Sequence, residues 1–221
     1  MIPRPRYRIV RSRSAAAEFH ARVVPEPAPR VIWQHDITSA ALVLGSTQDA
    51  GVVDVDACRR AGVDVVQRRS GGGAVLLVPG EVTWIDVVVP AGDPGWSDDV
   101  HGPMVWLGRH LADELAASTG EPDVEVHEGA MVTTAWSRLI CFDGVGAGEV
   151  LLGGRKVVGI SQRRTRHAAR LQCCWYSSYD PSRLLELLLP GVRPSADDLA
   201  PVATVPAVVA DTIVTALATR L

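Results

Sequence analysis

The alternation of apolar and polar residues predicts short strands in the middle of the chain, with helices at intervals around them. Several segments are rich in β-branched residues and bounded by glycine or proline, as is typical of strands. In the segment 82–89, Trp84, Asp86 and Val88 should share one face and the odd-numbered residues the other. Strands are predicted at 31–35, 40–44, 63–69, 74–78, 82–89, 123–127, 137–142, 149–152, 156–163 and 169–176.

Helical spacing of apolar residues is clearest at 103–118, where Met104, Leu107 and Leu111 recur on one side. Helices are predicted at 14–24 (capped by Ser14), 53–61, 103–118, 181–189 and 205–221. Few pairs of strands enclose a crossover helix. The pattern therefore predicts an α+β fold with a central mixed, mostly antiparallel sheet flanked by helices, and not a doubly wound parallel sheet.

Composition narrows the class of protein. A length of 221 residues with 47% apolar content fits a single domain over residues 1–221. The net charge of −3 argues against a general nucleic-acid binder. No apolar run approaches the ~20 residues of a membrane helix, and no signal-peptide core follows the five arginines of residues 1–14. We expect a cytoplasmic protein without a membrane partner. Its four cysteines lack a CxxC pair, so we expect neither a metal site nor a disulfide framework.

A glycine-rich loop is predicted between two strands at Arg68-Arg69-Ser70-Gly71-Gly72-Gly73-Ala74. Without Cβ atoms, the backbone of Gly71, Gly72 and Gly73 can approach a ligand and offer its N–H groups to an anion. Arg68 would add positive charge, and Ser70 a hydroxyl. A flexible hairpin turn is the alternative interpretation of such a glycine run.

A lysine opens a later strand in Gly154-Arg155-Lys156-Val157-Val158-Gly159-Ile160-Ser161-Gln162. Alternation along the strand could direct Lys156 towards a cleft, where it would neutralise charge developing on a carboxyl or phosphate oxygen. Gly159 would again permit close approach of a ligand. Taken alone, a surface lysine after a turn explains the pattern equally well.

Together, the pattern Arg-x-Ser-Gly-Gly-Gly-Ala-Val and the later Gly-Arg-Lys-x-x-Gly-x-Ser-Gln resemble the lipoate–protein ligase family. That family shares a class II synthetase-like catalytic fold with biotin–protein ligases and octanoyltransferases. Gly45-Ser46-Thr47-Gln48 resembles the family's G-x-x-Q turn. The resemblance spans residues 31–190 and implies a catalytic domain without the accessory C-terminal domain of larger ligases.

The resemblance implies an enzyme that uses ATP and Mg²⁺ to activate lipoate or octanoate as an acyl-adenylate. The acyl group would then pass to a lysine of a lipoyl domain, of the 2-oxoacid dehydrogenase E2 or glycine cleavage H protein type. Lys156 would stabilise the transition state. By the same resemblance, the substrate and nucleotide site would comprise Gln48, Arg68, Ser70, Gly71, Gly72, Gly73, Ala74, Gly159 and Ser161. Val75, Leu77 and Ile85 are candidates for an acyl tunnel or for ordinary core.

Three departures keep other activities open. The Asn-Asp pair of the ligases is missing, and Asp143 is either a Mg²⁺ ligand or a solvated side chain. Cys141-Phe142-Asp143 instead resembles the cysteine-dependent octanoyltransferases, which take the acyl group from acyl carrier protein as a thioester and need no cofactor. A nearby Lys156 would favour the Cys141 thiolate; a buried structural cysteine is the alternative.

The third departure lies after the lysine strand, where Cys173 and Cys174 replace a His-Gly motif and at most one of them can face the site. The basic run 163–170 should form a solvated hairpin that could attract an acidic partner domain. The leading hypothesis is an ATP-dependent ligase; the alternatives are a transferase that uses Cys141 and a non-catalytic binder of lipoate, biotin or an adenylate. Replacing Lys156 with alanine should abolish transfer and leave the fold intact.

Overall fold

Ten strands form two sheets in the computed structural model, which describes residues 7–221. The strands are β1 (Arg8–Ser14), β2 (Val31–Ile37), β3 (Ala41–Leu44), β4 (Asp64–Gln67), β5 (Val75–Leu77), β6 (Val82–Pro90), β7 (Val124–Val126), β8 (Val150–Leu152), β9 (Arg155–Arg164) and β10 (Ala168–Tyr176). The large sheet has the order β1-β2-β6-β10-β9-β8-β7, and the small sheet β4-β3-β5. Only β1–β2 and β3–β4 pair in parallel among these strands. The predicted fold class is confirmed.

Five α-helices flank the sheets in the described residues: α1 (Ala16–Ala21), α2 (Val55–Ala61), α3 (Gly102–Thr119), α4 (Pro181–Leu185) and α5 (Ala207–Arg220). The Asp54 and Asp180 side chains cap α2 and α4 by accepting backbone N–H bonds. Gly62 and Gly120 end α2 and α3 in the left-handed conformation, as the sequence predicted. None of the helices in residues 7–221 has the length and apolar character required to span a membrane.

The two faces of the large sheet have different neighbours. Ile85, Val87 and Val89 of β6 enter one core with the apolar faces of α3 and α5. Trp84 points the other way, into a second core shared with β3 and β5 of the small sheet. A third core packs the far side of the small sheet against α4. The cleft between the two sheets is the part of the fold that holds the candidate site.

The predicted helix at 14–24 is present as α1, but its predicted cap and the predicted strand at 137–142 are wrong, and one strand was not predicted. Residues 8–14 form an edge strand, and Ser14 ends it instead of capping a helix; its hydroxyl donates to Glu18. Only one side of this strand is paired, and its residues are exposed or half-buried, so it lacks the apolar pattern of a buried strand. Residues 137–142 are irregular and lead into a 3₁₀ turn at Cys141–Asp143. The first six residues of the predicted domain and of its arginine-rich start lie outside the described part of the chain.

Candidate active site

The Arg68 side chain fixes the glycine loop by hydrogen bonds to its carbonyl groups. This side chain is buried, and it donates to the carbonyls of Gly71 (2.7 Å from Nη2) and Gly73 (2.9 Å). Gly72 has a φ of 100°, a conformation that favours glycine. Within residues 7–221, the N–H groups of Gly71, Gly72 and Gly73 donate no hydrogen bond. The loop therefore presents free backbone donors, as expected for an oxyanion site.

Cys141 lies against this loop because two backbone hydrogen bonds join the segments. Cys141 N–H donates to the Ala74 carbonyl (3.0 Å), and Ala74 N–H donates to the Leu139 carbonyl (2.8 Å). The half-buried Cys141 Sγ lies 4.0 Å from Arg68 Nη2. A thiolate at this position would thus meet a guanidinium on one side and the loop at Gly72 on the other.

Gly73→Ala should destabilise the protein by about 1–3 kcal/mol, a typical cost of overpacking. A Cβ at Gly73 would stand 2.7 Å from the Cys141 nitrogen and the Ile140 carbonyl carbon, which are backbone atoms that cannot rotate away. Gly71→Ala is the matched control, because a Cβ there meets no atom within 4 Å. Urea unfolding of both variants checks this; equal midpoints would contradict the close packing at Gly73.

Lys156 lies beneath Cys141 and is almost completely buried. Its ammonium contacts the Glu149 carboxylate (2.7 Å) and donates to the carbonyls of Cys141 (2.9 Å) and Gly144 (3.0 Å). Burial, the largest single effect, would lower the pKa of Lys156. The charge of Glu149, the hydrogen bond to it and the neighbouring Cys141 and Cys174 together outweigh burial and raise the pKa above its ordinary value. The lysine is therefore charged, and all three of its donors have partners.

A row of polar side chains crosses the cleft from β9 to α1. Ser161 Oγ is 3.0 Å from Ser70 Oγ, and Ser70 Oγ donates to Gln172 Oε1 (2.9 Å). Gln172 Nε2 in turn contacts His20 Nδ1 (3.3 Å). Because an amide N–H occupies Nδ1, the neutral ring carries its proton on Nε2, which is buried and has no partner. Gln172 and His20 were not predicted from the sequence.

A second buried network is centred on Asp86 of β6. Asp86 accepts hydrogen bonds from Trp84 Nε1 (3.0 Å) and Arg170 Nε (2.8 Å) and lies 2.8 Å from His35 Nε2. Burial would raise the pKa of Asp86, but His35 and Arg170 outweigh it and lower the pKa to about 2. The basic run 163–170 is therefore not solvated throughout, because Arg170 is buried in this ion pair.

His20 should make the protein sensitive to acid. Burial lowers the pKa of His20 to about 3, against a smaller opposing effect of Asp86. Between about pH 6.5 and pH 4 the unfolded chain binds a proton that the folded chain excludes, so the free energy of unfolding falls as the pH drops. Asp86 contributes only below this window, as the pH falls through 3.8 towards about 2.

The expected loss in this window is about 2–3 kcal/mol in the wild type and much smaller in His20→Gln. Urea unfolding of both proteins at about pH 6.5 and about pH 4 measures this loss of unfolding free energy. The same loss in the two proteins would contradict the assignment of His20 as the titrating group.

The cleft forms a pocket with apolar and polar ends. Its lining includes His20, Val43, Arg68, Val75, Leu77, Trp84, Cys141, Phe142, Gly159, Ser161, Gln172 and Cys174. Val75 and Leu77 thus line it, whereas Ile85 belongs to the opposite core. The pocket encloses about 40 Å³, so side chains on its wall must move before a medium-chain acyl group fits.

The predicted site residues that do not line this pocket are Gln48, Ser70, Gly71, Gly72, Gly73, Ala74 and Lys156. Gln48 accepts from Gly45 N–H (2.8 Å), donates to the Leu139 carbonyl (3.0 Å) and lines an outer groove with Gly72. Ala74 is buried in the third core and lines neither space. Asp143 is neither solvated nor open to a cation, because it is buried and accepts from Thr134 and from Ala200 N–H (2.7 Å).

Of the other cysteines, Cys58 and Cys173 are buried, whereas Cys174 is half-buried like Cys141. Burial raises the pKa of Cys58, raises that of Cys174 to about 12, and raises that of Cys173 well above its ordinary value. Cys173 enters the core under α3 and α5, and Cys174 packs with Phe142. Within residues 7–221, no group of three His, Cys, Asp or Glu side chains is arranged to hold a metal ion.

Comparisons with known proteins identify the family of this chain. A family model described as the lipoyl protein ligase A/B catalytic domain matches residues 17–217. The octanoyltransferase LipM of Kyrpidia tusciae is 31% identical over 154 residues, which cover 66% of this chain and 54% of that protein. The chain therefore aligns with about half the length of this relative.

Solved structures share the fold at low sequence identity. A lipoate-protein ligase A bound with ATP is 15% identical, with a TM-score of 0.67 over 96% of this chain and 83% of that one. Protein Ta0514 of T. acidophilum with bound lipoic acid is 15% identical, with a TM-score of 0.66 over 96% and 81%. A bi-partite lipoate protein ligase from Thermoplasma acidophilum, described with its E2 lipoyl domain, is 16% identical, with a TM-score of 0.62 over 96% and 80%.

Proposed function

This chain belongs to the lipoyl protein ligase A/B catalytic domain family, and we propose that it carries a medium-chain acyl group as a thioester on Cys141 and passes it to a lysine of a lipoyl domain. The family expected from the two motifs is thereby confirmed. The observation that carries the proposal is the position of Cys141. It lines the pocket between the two sheets, called the acyl pocket below, and its sulfur lies beside Arg68 and Gly72 of the glycine loop.

The reaction has two balanced steps. The Cys141 thiolate attacks the carbonyl carbon of an acyl thioester, and the carrier thiolate leaves and takes up a proton. The acceptor lysine then attacks the acyl-cysteine as a free amine, an amide forms, and the Cys141 thiolate departs as the amine loses its proton.

In both steps negative charge develops on the acyl oxygen, where the N–H groups of Gly71, Gly72 and Gly73 can stabilise it. Arg68 would stabilise the thiolate. Lys156 would hold the Cys141 backbone in place and add positive charge beneath it.

The residues present do not fit the ATP and Mg²⁺ site of the leading sequence hypothesis. All three donors of Lys156 are used by Glu149, Cys141 and Gly144, so a phosphate would have to displace one of them. Asp143 is committed to Thr134 and the Ala200 backbone. Together with the similarity to an octanoyltransferase, this favours the cysteine route over adenylation.

The lipoyl acceptor follows from the family and from the E2 lipoyl domain described with the T. acidophilum ligase. Acyl carrier protein is the proposed donor because the reaction requires an acyl thioester. The test incubates the protein with octanoylated acyl carrier protein and a lipoyl domain without ATP. We expect one octanoyl group on Cys141, removable by hydroxylamine, followed by its appearance on the acceptor lysine.

Two results would contradict the proposal. Transfer that requires octanoate or lipoate with ATP, releases pyrophosphate and leaves Cys141 unmodified would establish a ligase. Tight binding of lipoate, biotin or an adenylate without transfer to any acceptor would establish a non-catalytic binder.

A further inference from the structure

The polarity of the large sheet changes stepwise along the face that lines the cleft. Strand register places Gly159, Cys174 and Trp84 in a first row, Ser161, Gln172 and Asp86 in a second, and Arg163, Arg170 and Val88 in a third. Successive rows are about 7 Å apart, twice the rise per residue of a strand. The Phe142 ring, next to Cys141, packs on Gly159 in the first row. The rows therefore change from mostly apolar, through polar, to mostly basic side chains with distance from Cys141.

A separate pocket occupies the third row. It is lined by Arg22, Arg69, Arg163 and Arg170, with His20, Thr165 and Gln172 among its other walls. Of the four arginines, only Arg170 has a carboxylate within salt-bridge distance in residues 7–221, namely Asp86. Three guanidinium groups thus share one concave space without a counter-charge, in a protein whose net charge is negative.

One of these guanidinium groups is incompletely satisfied. Arg22 stacks over the Trp33 ring at 4.6 Å, yet its Nη1 is buried and has no hydrogen-bond partner in the described chain. A buried donor without a partner costs free energy that an anionic ligand would recover. The arginine pocket, defined here by Arg22, Arg69, Arg163 and Arg170, therefore has the positive charge that an oxyanion requires, and one of its arginines has a buried donor without a partner.

The arginine pocket adjoins the acyl pocket. His20 and Gln172 line both, and the contact of 3.3 Å between them lies on the boundary. The unpaired Nε2–H of His20 is a further buried donor at this boundary. The acyl pocket that Cys141 lines thus reaches the arginine pocket at these two residues.

We infer that the arginine pocket is an oxyanion site that binds an anionic group of the acyl substrate, either a carboxylate at the far end of the acyl chain or the phosphate of the donor's pantetheine arm. The carboxylate is favoured because Arg163 and Arg170 lie in the third row, at the far side of the acyl pocket from Cys141. This inference rests on the proposed function, because it assumes an acyl group on Cys141.

Three thioesters distinguish the two anionic groups. Octanoyl-pantetheine carries neither, its ω-carboxylated counterpart carries the carboxylate, and octanoyl-4′-phosphopantetheine carries the phosphate. The rate of Cys141 acylation is followed by intact mass in wild type, Arg163→Gln and Arg166→Gln. Arg166 is the matched control, because it lies on the same hairpin outside the pocket and contacts His167. We expect one anionic thioester to acylate wild type and Arg166→Gln about ten-fold faster than octanoyl-pantetheine, and Arg163→Gln to lose that preference.

Binding of inorganic phosphate and of nonanedioate, measured by calorimetry, provides a readout that needs no acyl transfer. Weaker binding of either anion to Arg163→Gln than to Arg166→Gln supports the site, whereas equal binding together with equal thioester preference overturns it. If no thioester acylates Cys141, the proposed function fails, and the calorimetry alone decides whether the pocket binds an oxyanion.

Discussion

Cys141→Ser is expected to abolish the acyl-enzyme and to lower transfer to the lipoyl domain by roughly three orders of magnitude or more, as for other enzymes that lose a covalent nucleophile. A serine hydroxyl at this position stays protonated, and neither Arg68 nor Lys156 can act as the base that it would need. Initial rates with octanoylated acyl carrier protein and intact mass spectra of the enzyme measure the effect.

Cys174→Ser is the matched control. Cys174 borders the same pocket, but burial raises the pKa of its thiol to about 12, so it remains a neutral packing group. We expect this variant to form the thioester. Unimpaired transfer by Cys141→Ser would refute the covalent route and return the assignment to a ligase, which has no use for the thiol.

Lys156→Met should unfold more easily than wild type by about 3–5 kcal/mol and should also lose transfer. The sequence alone suggested that removing this lysine would spare the fold. The structure changes that expectation, because Glu149 is itself buried and would be left with an uncompensated charge. Loss of the bonds to the Cys141 and Gly144 carbonyls would also loosen the turn that carries the thiol.

The double variant Lys156→Met/Glu149→Gln separates the two effects. Removing both charges should restore part of the stability, because no charge is then buried without a partner. Transfer should stay lost, because the positive charge beneath Cys141 is still missing. A stable double variant with normal transfer would show that Lys156 has a packing role only. Urea unfolding and steady-state transfer rates give the two readouts.

The motifs predicted much of the site because they are local. The glycine loop and the lysine strand each carry their signal within a dozen residues, and strand alternation placed Trp84 and Asp86 on one face correctly. Asp86 offered a further signal, since a carboxylate between Ile85 and Val87 in an apolar strand needs a buried partner.

What the sequence did not reveal depends on distant contacts. Gln172 and His20 meet across 152 positions, and Arg170 reaches Asp86 across 84. Neither pair has a sequence spacing that would indicate a contact between its two residues. Arg170 was predicted to be solvated because it belongs to the basic run 163–170. Arg163 and Arg166 of that run are exposed, and only strand pairing shows that Arg170 points inward.

The backbone bonds between Ala74, Leu139 and Cys141 have an evolutionary consequence. Main-chain partners do not depend on which side chains the residues carry, so an exposed residue of this segment such as Arg138 can change without shifting the thiol. In this segment the family's usual asparagine can be lost while the architecture around it persists. Selection would then act on the small number of positions where a larger side chain would clash with the backbone, such as Gly73. Family members with different reactions could therefore share one backbone structure.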